Sequence, residues 1–451
     1  MVETDITEAK PSTEAPLELF ERWAENGRAQ QPAWLFPLRK AGVTRFAELG
    51  FPSVRQEDWR FTNIAPFRKL PFKPAFQPPP IGPAFSLDQY ALNGIDGIRL
   101  VFIDGHFSAA HSTRSAGPNG VVVASLAESM GNPALQLDRQ LGRALEQQGN
   151  AFAALNTAFF TDGAYVHVPA GRTVESPVHL IFVSTGVEAG RVSHPRNLIV
   201  VEPQGSLTVI ESYVALRDAA YVTNTASELV VAESARVEHI RFQDESREAF
   251  HFGNLHAHLG RASNVISHSF ALGGRISRCN IRAHLNGEGL ECILNGLYLC
   301  RGEQLADHHM VVNHASPHCA SHEYFNGVLA GKSRGVFHGR ILVQQAAQKT
   351  DAKQTNKNIL LSEEAIANSK PQLEIYADDV KCTHGATIGR LDADAIFYMK
   401  ARGIPQETAR RMLIHAFAGE IVERIRLEPA RERIDRLVWD RLEAHAASNG
   451  S

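Results

Sequence analysis

A repeated pattern of short strands constrains the fold more than any other feature of this sequence. A turn of small residues followed by an alternating, β-branched strand begins at residues 203, 232, 260 and 286, so the pattern recurs every 26 to 29 residues, and a fifth copy begins at residue 330. A period of this length without intervening helices indicates stacked coils of strands rather than a sandwich. The stretch from Ala164 to about Gly389 is therefore predicted to be a parallel β-helix.

A polar track near the end of this stretch supports the prediction. In the segment TDAKQTNKN, alternation along a strand puts Gln354, Asn356 and Asn358 on one face. Amides on one face can stack and hydrogen-bond between neighbouring coils. We therefore expect an amide ladder here.

The region before the repeats contains helical and proline-rich segments. Apolar residues recur at helical spacing from Leu17 to Leu49, and Trp59 is expected to be a packing anchor. Six prolines between Pro71 and Pro83 indicate a stiff linker. A hairpin with its turn at Asp104-Gly105 and a helical stretch over Ser125–Phe160 are predicted to follow.

The period becomes helical again after Leu391. Asp392 is a candidate helix cap, Gly403 a candidate helix end, and Pro405 a candidate start for the next helix. Two apolar stripes follow, which can face each other in a small bundle or face a partner: Leu413, Phe417, Ile421 and Ile425, then Ile434, Leu437, Val438 and Leu442. The predicted division is a helical region with its linker over residues 1–83, an entry segment and β-helix over 84–390, and a helical domain over 391–451.

The composition excludes several classes of protein. A net charge of -3 argues against nucleic acid as the main partner, and no apolar run reaches the length of a membrane span. The polar, acidic N-terminus argues against a secretory signal, so a cytoplasmic location is expected. The five cysteines contain no C-x-x-C pair, which indicates free thiols and excludes a zinc ribbon or ferredoxin site.

The segment from Lys370 to Leu391 holds the candidate site. Read as one strand from Tyr376, it puts Cys382 and His384 on the same face. A thiolate beside an imidazole can bind a soft or borderline metal, or the imidazole can activate the thiol as a nucleophile. A buried cysteine beside a solvated histidine is the alternative, and the spacing does not decide among these.

A second group of metal-binding residue types lies between His308 and His322. Adjacent His308 and His309 would face opposite sides of a strand, and no acidic ligand lies at a recognisable offset. We expect hydrogen-bonding roles for these histidines. A transient role in handling metal stays open.

Four segments resemble the SufD members of the SufB/SufD family, which belongs to the SUF system of iron-sulfur cluster assembly. They are RQEDWRFTN (Arg55–Asn63), the histidine-rich Leu305–Ile341, TDAKQTNKNILLSEEA (Thr350–Ala365) and YADDVKCTHGATIGRLDADAIFYMKARGI (Tyr376–Ile404). The resemblance implies a mainly β fold, with a right-handed parallel β-helix flanked by N-terminal and C-terminal α-helical regions. It also implies a non-catalytic scaffold subunit that pairs with SufB, binds the ATPase SufC and supports cluster assembly and iron acquisition.

The resemblance further implies the site residues. His384 and Cys382 would lie at the SufB junction as a transient iron-sulfur assembly site, and Met412, Leu413, Phe417 and Ile421 would contact SufC. No cofactor is expected to be held stably by this chain alone; the complex would carry a transient iron-sulfur cluster, and a reduced flavin there is left open. Where SufB carries its essential cysteine, this chain has Asn356 and Lys357, which separates it from SufB.

Two alternatives of different classes remain. No P-loop, nucleophile elbow or dinucleotide fingerprint is present. A β-helix carbohydrate-active enzyme would need two or three acids, or a calcium-binding acid cluster, on one face. Near the candidate site only Asp378 and Asp379 qualify, and on a strand they would face opposite sides. A purely structural homodimer without a metal role is the other alternative, and a homodimer is also considered for the isolated chain.

Overall fold

The computed structural model describes residues 14–27, 31–79, 86–88, 90, 92, 94–113, 120–145 and 149–448. The polar N-terminal residues 1–13 and residues 80–83 of the predicted linker lie outside the described part. Within that part, no helix is long and apolar enough to cross a membrane.

In the described residues, twenty-one strands form two long, mostly parallel sheets. The first sheet contains β1 (Lys73–Pro74), β4 (Val122–Ser125), β5 (Ala164–Val168), β7 (Arg191–Ser193), β8 (Arg196–Val201), β10 (Val222–Val231), β12 (Phe250–Leu259), β14 (Ile276–Leu285), β16 (Leu305–His314), β18 (Arg334–Val343) and β20 (Ile366–Ile375). The second contains β2 (Ile98–Ile103), β3 (His106–Phe107), β6 (Val178–Ser184), β9 (Ser206–Ala215), β11 (Arg236–Asp244), β13 (Asn264–Ala271), β15 (Glu291–Cys300), β17 (Ala320–Leu329), β19 (Asp351–Leu360) and β21 (Lys381–Gly389).

From β8 onward, successive strands alternate between the two sheets, so each coil of the chain contributes one strand to each. From β8 to β19, each strand pairs in parallel with the strand two positions later, as in the register Gln354↔His384. The predicted parallel β-helix is therefore confirmed. The first four sequence repeats mark strands β9, β11, β13 and β15 of the second sheet, whereas the fifth marks β18 of the first sheet, which explains why it breaks the period.

Eight α-helices accompany these strands in the described residues: α1 (Glu14–Gly27), α2 (Leu35–Leu49), α3 (Ala65–Arg68), α4 (Leu126–Met130), α5 (Ala151–Phe159), α6 (Ala393–Ala401), α7 (Gln406–Val422) and α8 (Glu428–Ser448). Short 3-10 helices lie at Glu57–Trp59, Pro133–Leu135 and Leu137–Arg139. The hairpin at Asp104-Gly105 is confirmed by the antiparallel pair β2–β3.

The predicted helical stretch over Ser125–Phe160 is wrong as a single helix, because backbone amides in its middle donate to a side chain of the first sheet. Glu228 of β10 accepts backbone hydrogen bonds from Gly142 at 2.8 Å and Ala144 at 2.9 Å. The same buried carboxylate pairs with Arg196 at 2.6 Å. Amides that donate to a side chain cannot donate to helix carbonyls, so only α4 and α5 form at the two ends.

The N-terminal helices cover the outer face of the first sheet. Trp59 is 5% exposed, and its ring lies 5.5 Å from that of Phe152 on α5, beside Phe252 of β12. The predicted role of Trp59 as a packing anchor is confirmed. The proline-rich segment does not only link, because Lys73–Pro74 forms a short strand beside β7.

The C-terminal helices cover the outer face of the second sheet. Ile414 and Ile421 of α7 and Ile434 of α8 are buried in one apolar cluster with sheet residues such as Ile210 and Leu297. The two apolar stripes therefore pack on the chain's own sheet as well as on each other, which the sequence prediction of a separate small bundle did not include. The division at residues 83 and 390 stays a prediction, although a shared core joins α7 and α8 to the β-helix.

Candidate functional site

The last coil of the β-helix is open at one side. Strands β20 and β21 each form the end of a sheet in the described residues. The inward face of β21 continues the columns of inward side chains from β19, yet no further coil covers it. Large apolar side chains are exposed around this end, including Ile375 at 39%, Tyr376 at 63% and Ile388 at 51%. Unpaired strand edges are natural places for another chain to add.

Cys382 and His384 both lie on the inward face of β21. Their register partners on β19 are Ala352 and Gln354, which are 1% exposed. The predicted common face is therefore confirmed, although the strand begins at Lys381 rather than at Tyr376. The same side chains would be buried if another coil, or a partner, covered this end.

The chemistry of Cys382 favours a weak or auxiliary ligand over a nucleophile. Burial raises the pKa of its thiol, and the carboxylate of Asp351 raises it further. The thiolate is the form that attacks or binds metal, so the neighbouring imidazole does not activate this cysteine in the isolated chain. Within the described residues, no third histidine, cysteine or carboxylate completes a ligand set with Cys382 and His384.

A column of polar residues lies beneath His384 inside the β-helix. The register places Gln354 one coil below His384 and Glu323 one coil below Gln354. Gln354 fits against Gly339 of the opposite sheet, where an added Cβ would lie 2.9 Å from Gln354 Nε2. Glu323 is fully buried without a hydrogen-bond partner for either oxygen, and burial raises its pKa to about 8.

The predicted amide ladder between coils does not form, although Gln354, Asn356 and Asn358 do share one buried face. Asn358 donates to Asn356 of the same strand at 2.8 Å, and Tyr298 donates to Asn358 at 2.5 Å. The coils on either side place Phe325 and Ala386 opposite Asn356, so no amide is available there to stack.

The histidines of the 308–322 segment differ in their surroundings. His308 points inward and lies 3.0 Å from Ser269 Oγ, and His314 Nε2 lies 2.7 Å from Ser321 Oγ. His309 points to the outer face instead, as expected from alternation, and its ring contacts that of His338 edge to face. Hydrogen bonding explains His308 and His314, but not His309.

Cysteines other than Cys382 are internal. Cys279, Cys292, Cys300 and Cys319 are buried free thiols, and burial raises the pKa values of Cys292 and Cys300 to about 12. The prediction of thiols rather than a disulfide framework is confirmed.

The four residues predicted to contact a partner on α7 are not equivalent. Ile421 is 2% exposed and packs against the second sheet, so it contributes to the protein's own core. Leu413 and Phe417 are half-buried, whereas Met412 is 41% exposed. Of these four residues, Met412 is the most accessible to another protein.

Sequence reasoning missed the apolar residues of α6. Phe397 is 73% exposed and Tyr398 is 58% exposed, and no residue of this helix is buried. Asp392 caps the helix as predicted, since its Oδ1 accepts from Asp394 N at 2.9 Å. Helix α6 packs beside α7, so the two helices together present an exposed apolar surface, which we call the α6–α7 surface (Phe397, Tyr398, Met412).

The acids of the enzyme alternative do not form a pair. Asp378 and Asp379 lie in the turn before β21 rather than on a strand. Asp379 pairs with Lys349 instead of facing another acid. The described residues around this turn therefore lack the paired carboxylates of a glycosidase.

Comparisons with known proteins agree on one family. A family model described as SUF system FeS cluster assembly, SufBD core domain, matches residues 182–417, and another, described as SufBD protein N-terminal region, matches residues 11–180. An iron-sulfur cluster assembly SufBD family protein of Synechocystis is 34% identical over 89% of each chain. The iron-sulfur cluster assembly protein SufD of Escherichia coli is 32% identical over 90% of this chain and 93% of its own.

Proposed function

The chain belongs to the SufBD family of iron-sulfur cluster assembly proteins, and on that premise we propose that it is a non-catalytic scaffold subunit of the SUF complex. In this role it pairs with SufB through the open end of its β-helix and binds the ATPase SufC through its C-terminal helices. It supports cluster assembly and iron acquisition in the cytoplasm. The cluster is cargo that is held transiently.

One observation carries this proposal: two metal-ligand side chains lie on the inward face of a coil that has no covering coil. Cys382 and His384 supply at most two donors, and a tetrahedral iron site needs four. A partner that covers the open end would bury both side chains and add the missing donors. A site completed only by a partner fits a protein that builds clusters and passes them on.

The α6–α7 surface supports the second part of the proposal. Exposed apolar residues on adjacent helices are typical of an interaction surface. Because Ile421 is committed to the protein's own core, we assign SufC binding to Phe397, Tyr398 and Met412, with Leu413 and Phe417 at the margin.

The test is reconstitution of the complex with SufB and SufC, using His384→Ala in this chain. We expect the variant complex to assemble and hydrolyse ATP normally but to fail to accumulate iron and sulfide. Cys382→Ala should be milder, because its thiol is largely protonated at neutral pH. Thr383→Ala, an exposed position on the same strand, is the matched control. Normal cluster content in the His384 variant would remove the chemical role and leave a scaffold only.

A homodimer is the alternative occupant of the same edge in the absence of SufB. An open strand edge forms backbone hydrogen bonds with any added strand whose N–H and C=O groups align with its own. Gel filtration of the isolated chain, followed by addition of SufB, separates the two cases. Displacement of a dimer by SufB would show that both use the same edge.

A further inference from the structure

Two histidines meet on the outer face of the first sheet, away from the open end of the β-helix. His309 of β16 and His338 of β18 are register partners, and their ring centroids lie 4.2 Å apart at 74°. His309 is 8% exposed and His338 is 7% exposed. Two buried imidazoles in contact need either hydrogen-bond partners or a shared cation to satisfy their nitrogens.

His309 has no hydrogen bond in the described structure. Its Nδ1 is buried without a partner. Its Nε2 lies 3.8 Å from Asp58 Oδ1, which is too long for a hydrogen bond. A side chain that is nine-tenths buried therefore leaves its Nδ1 without a partner, although a buried polar atom without a partner is costly.

His338 is oriented by a neighbouring side chain. Its Nε2 lies 2.7 Å from Gln372 Oε1, and an amide oxygen can only accept, so Nε2 carries the proton. The lone pair is then on Nδ1, which is the atom that would bind a metal. Metal-binding histidines commonly donate their other ring N–H to an oxygen in this way.

Asp58 is brought to this pair by the N-terminal region. It lies in the 3-10 helix Glu57–Trp59, where Arg278 of β14 donates to its backbone oxygen at 2.8 Å. The guanidinium of Arg278 also lies 3.8 Å from the centroid of the Trp59 ring. One potential ligand atom each from Asp58, His309 and His338 lies within 4.8 Å of the other two, and no other such group of three occurs in the described part of the chain.

We propose that Asp58, His309 and His338 form a binding site for a divalent first-row transition metal such as Fe²⁺, Co²⁺ or Zn²⁺. Two imidazoles and one carboxylate suit these ions and leave positions open for water. Bonds of about 2.0–2.2 Å place neighbouring ligand atoms roughly 3.4 Å apart. The three ligand atoms lie within 4.8 Å of one another, so they would approach by up to roughly 1.4 Å when a metal binds.

A cleft of about 690 Å³ is lined by residues that neighbour the site. Among them are Glu57, which precedes Asp58 in sequence, and Lys370, the register partner of His338. Glu57 and Lys370 form an ion pair, so the acid offsets the charge of that lysine. Arg55 and Arg60 also line the cleft.

Three arginines, Arg278, Arg282 and Arg340, also lie near His309. Arg278 is paired with Asp307 at 2.5 Å, and Arg340 lies 3.5 Å from Glu374. These carboxylates offset the charge of two of the three arginines. The site therefore does not face an unopposed group of positive charges.

Titration of the metal-free, full-length chain with Co²⁺ tests the proposal, because Co²⁺ bound by imidazole and carboxylate gives visible absorption bands. We expect one equivalent to bind and to raise the Tm. His309→Ala and His338→Ala should each weaken binding at least 100-fold, and Asp58→Asn about 10-fold or more. If a histidine variant fails to fold, Asp58→Asn still tests the site, because the Asp58 side chain is exposed.

Two control variants make the outcome specific. His258 and His284 form another ring pair on the first sheet, at 4.8 Å, and His258→Ala should leave Co²⁺ binding unchanged. His384→Ala should also leave it unchanged, because that residue belongs to the open end. The proposal is overturned if Co²⁺ does not bind, if the three site variants bind normally, or if only the His384 variant loses binding. None of these measurements needs SufB or SufC, so failure of the proposed scaffold role would not affect them.

Discussion

The alternation of backbone groups along β21 allows the proposed pairing with SufB to be tested at adjacent residues. Lys381 N donates to the backbone oxygen of Thr350, the residue just before β19, at 2.8 Å. In a parallel ladder, successive residues direct their backbone groups to opposite sides. Thr387 therefore bonds back to β19, whereas Ala386 directs its N–H and C=O to the open edge, where SufB would add.

Proline at these two positions should have opposite effects. Ala386→Pro removes no internal hydrogen bond, so the isolated chain should lose at most about 1 kcal/mol. At a paired edge it removes a hydrogen bond worth about 0.5–1.5 kcal/mol and adds the clash of the ring, for a total of roughly 2–4 kcal/mol. Affinity for SufB should fall about 30-fold to 1,000-fold.

Thr387→Pro is the matched control. It breaks a bond to β19, so it should destabilise the isolated chain by about 3 kcal/mol. Both variants impose the same φ near −65°, so backbone strain cancels in the comparison. Urea unfolding of each isolated chain and calorimetric titration with SufB provide the two measurements.

The reasoning is refuted if Ala386→Pro, with unchanged stability, binds SufB as tightly as the wild type. In that case SufB would not pair along this edge. Equal destabilisation of the isolated chain by both variants would show that the assignment of inward and outward N–H groups is wrong.

Three further predictions concern the buried residues Glu323 and Ile421 and the exposed residue Met412. Because Glu323 has a pKa raised to about 8, the stability that its protonated form contributes is present at low pH and is lost as the pH rises from about 4.5 through 8. At pH 9, Glu323→Gln should therefore have a higher free energy of unfolding than the wild type, by a few kcal/mol, on the order of 1.4 kcal/mol per pKa unit. Near pH 5 the two proteins should be equally stable in urea unfolding. Parallel pH profiles of stability would contradict this. Ile421→Ala should lower the free energy of unfolding by about 2–5 kcal/mol, because the Ile421 side chain is buried against the second sheet. Met412→Ala should cost under about 0.5 kcal/mol and weaken SufC binding, and unchanged SufC affinity would exclude the α6–α7 surface.

The β-helix could be predicted because its signal is local and repeated. Each coil needs a turn and an alternating strand, and both are visible in short stretches of sequence. The same locality placed Cys382 and His384 on one face. It could not indicate that the face lies at an open end, since this depends on the absence of a following coil.

Other features depend on contacts between distant segments. The apolar stripe containing Ile421 has helical spacing, but spacing does not reveal that the stripe covers the second sheet. Likewise, the sequence around His309 does not indicate an acidic neighbour, because the carboxylate near its ring belongs to Asp58 of the N-terminal region. The helical spacing before Phe160 was misleading because Glu228, far along the chain, binds the amides of that segment.

The packing of α7 and α8 on the second sheet sets the order in which the protein can mature on the ribosome. Coils can stack as they emerge, since each needs only the one before it. The outer apolar side chains of that sheet, such as Ile210, Phe270 and Leu297, stay exposed to solvent until α7 and α8 are translated. We therefore expect a nascent chain to expose this apolar face until late in synthesis. A chain that ends before α7 should expose it permanently and tend to aggregate.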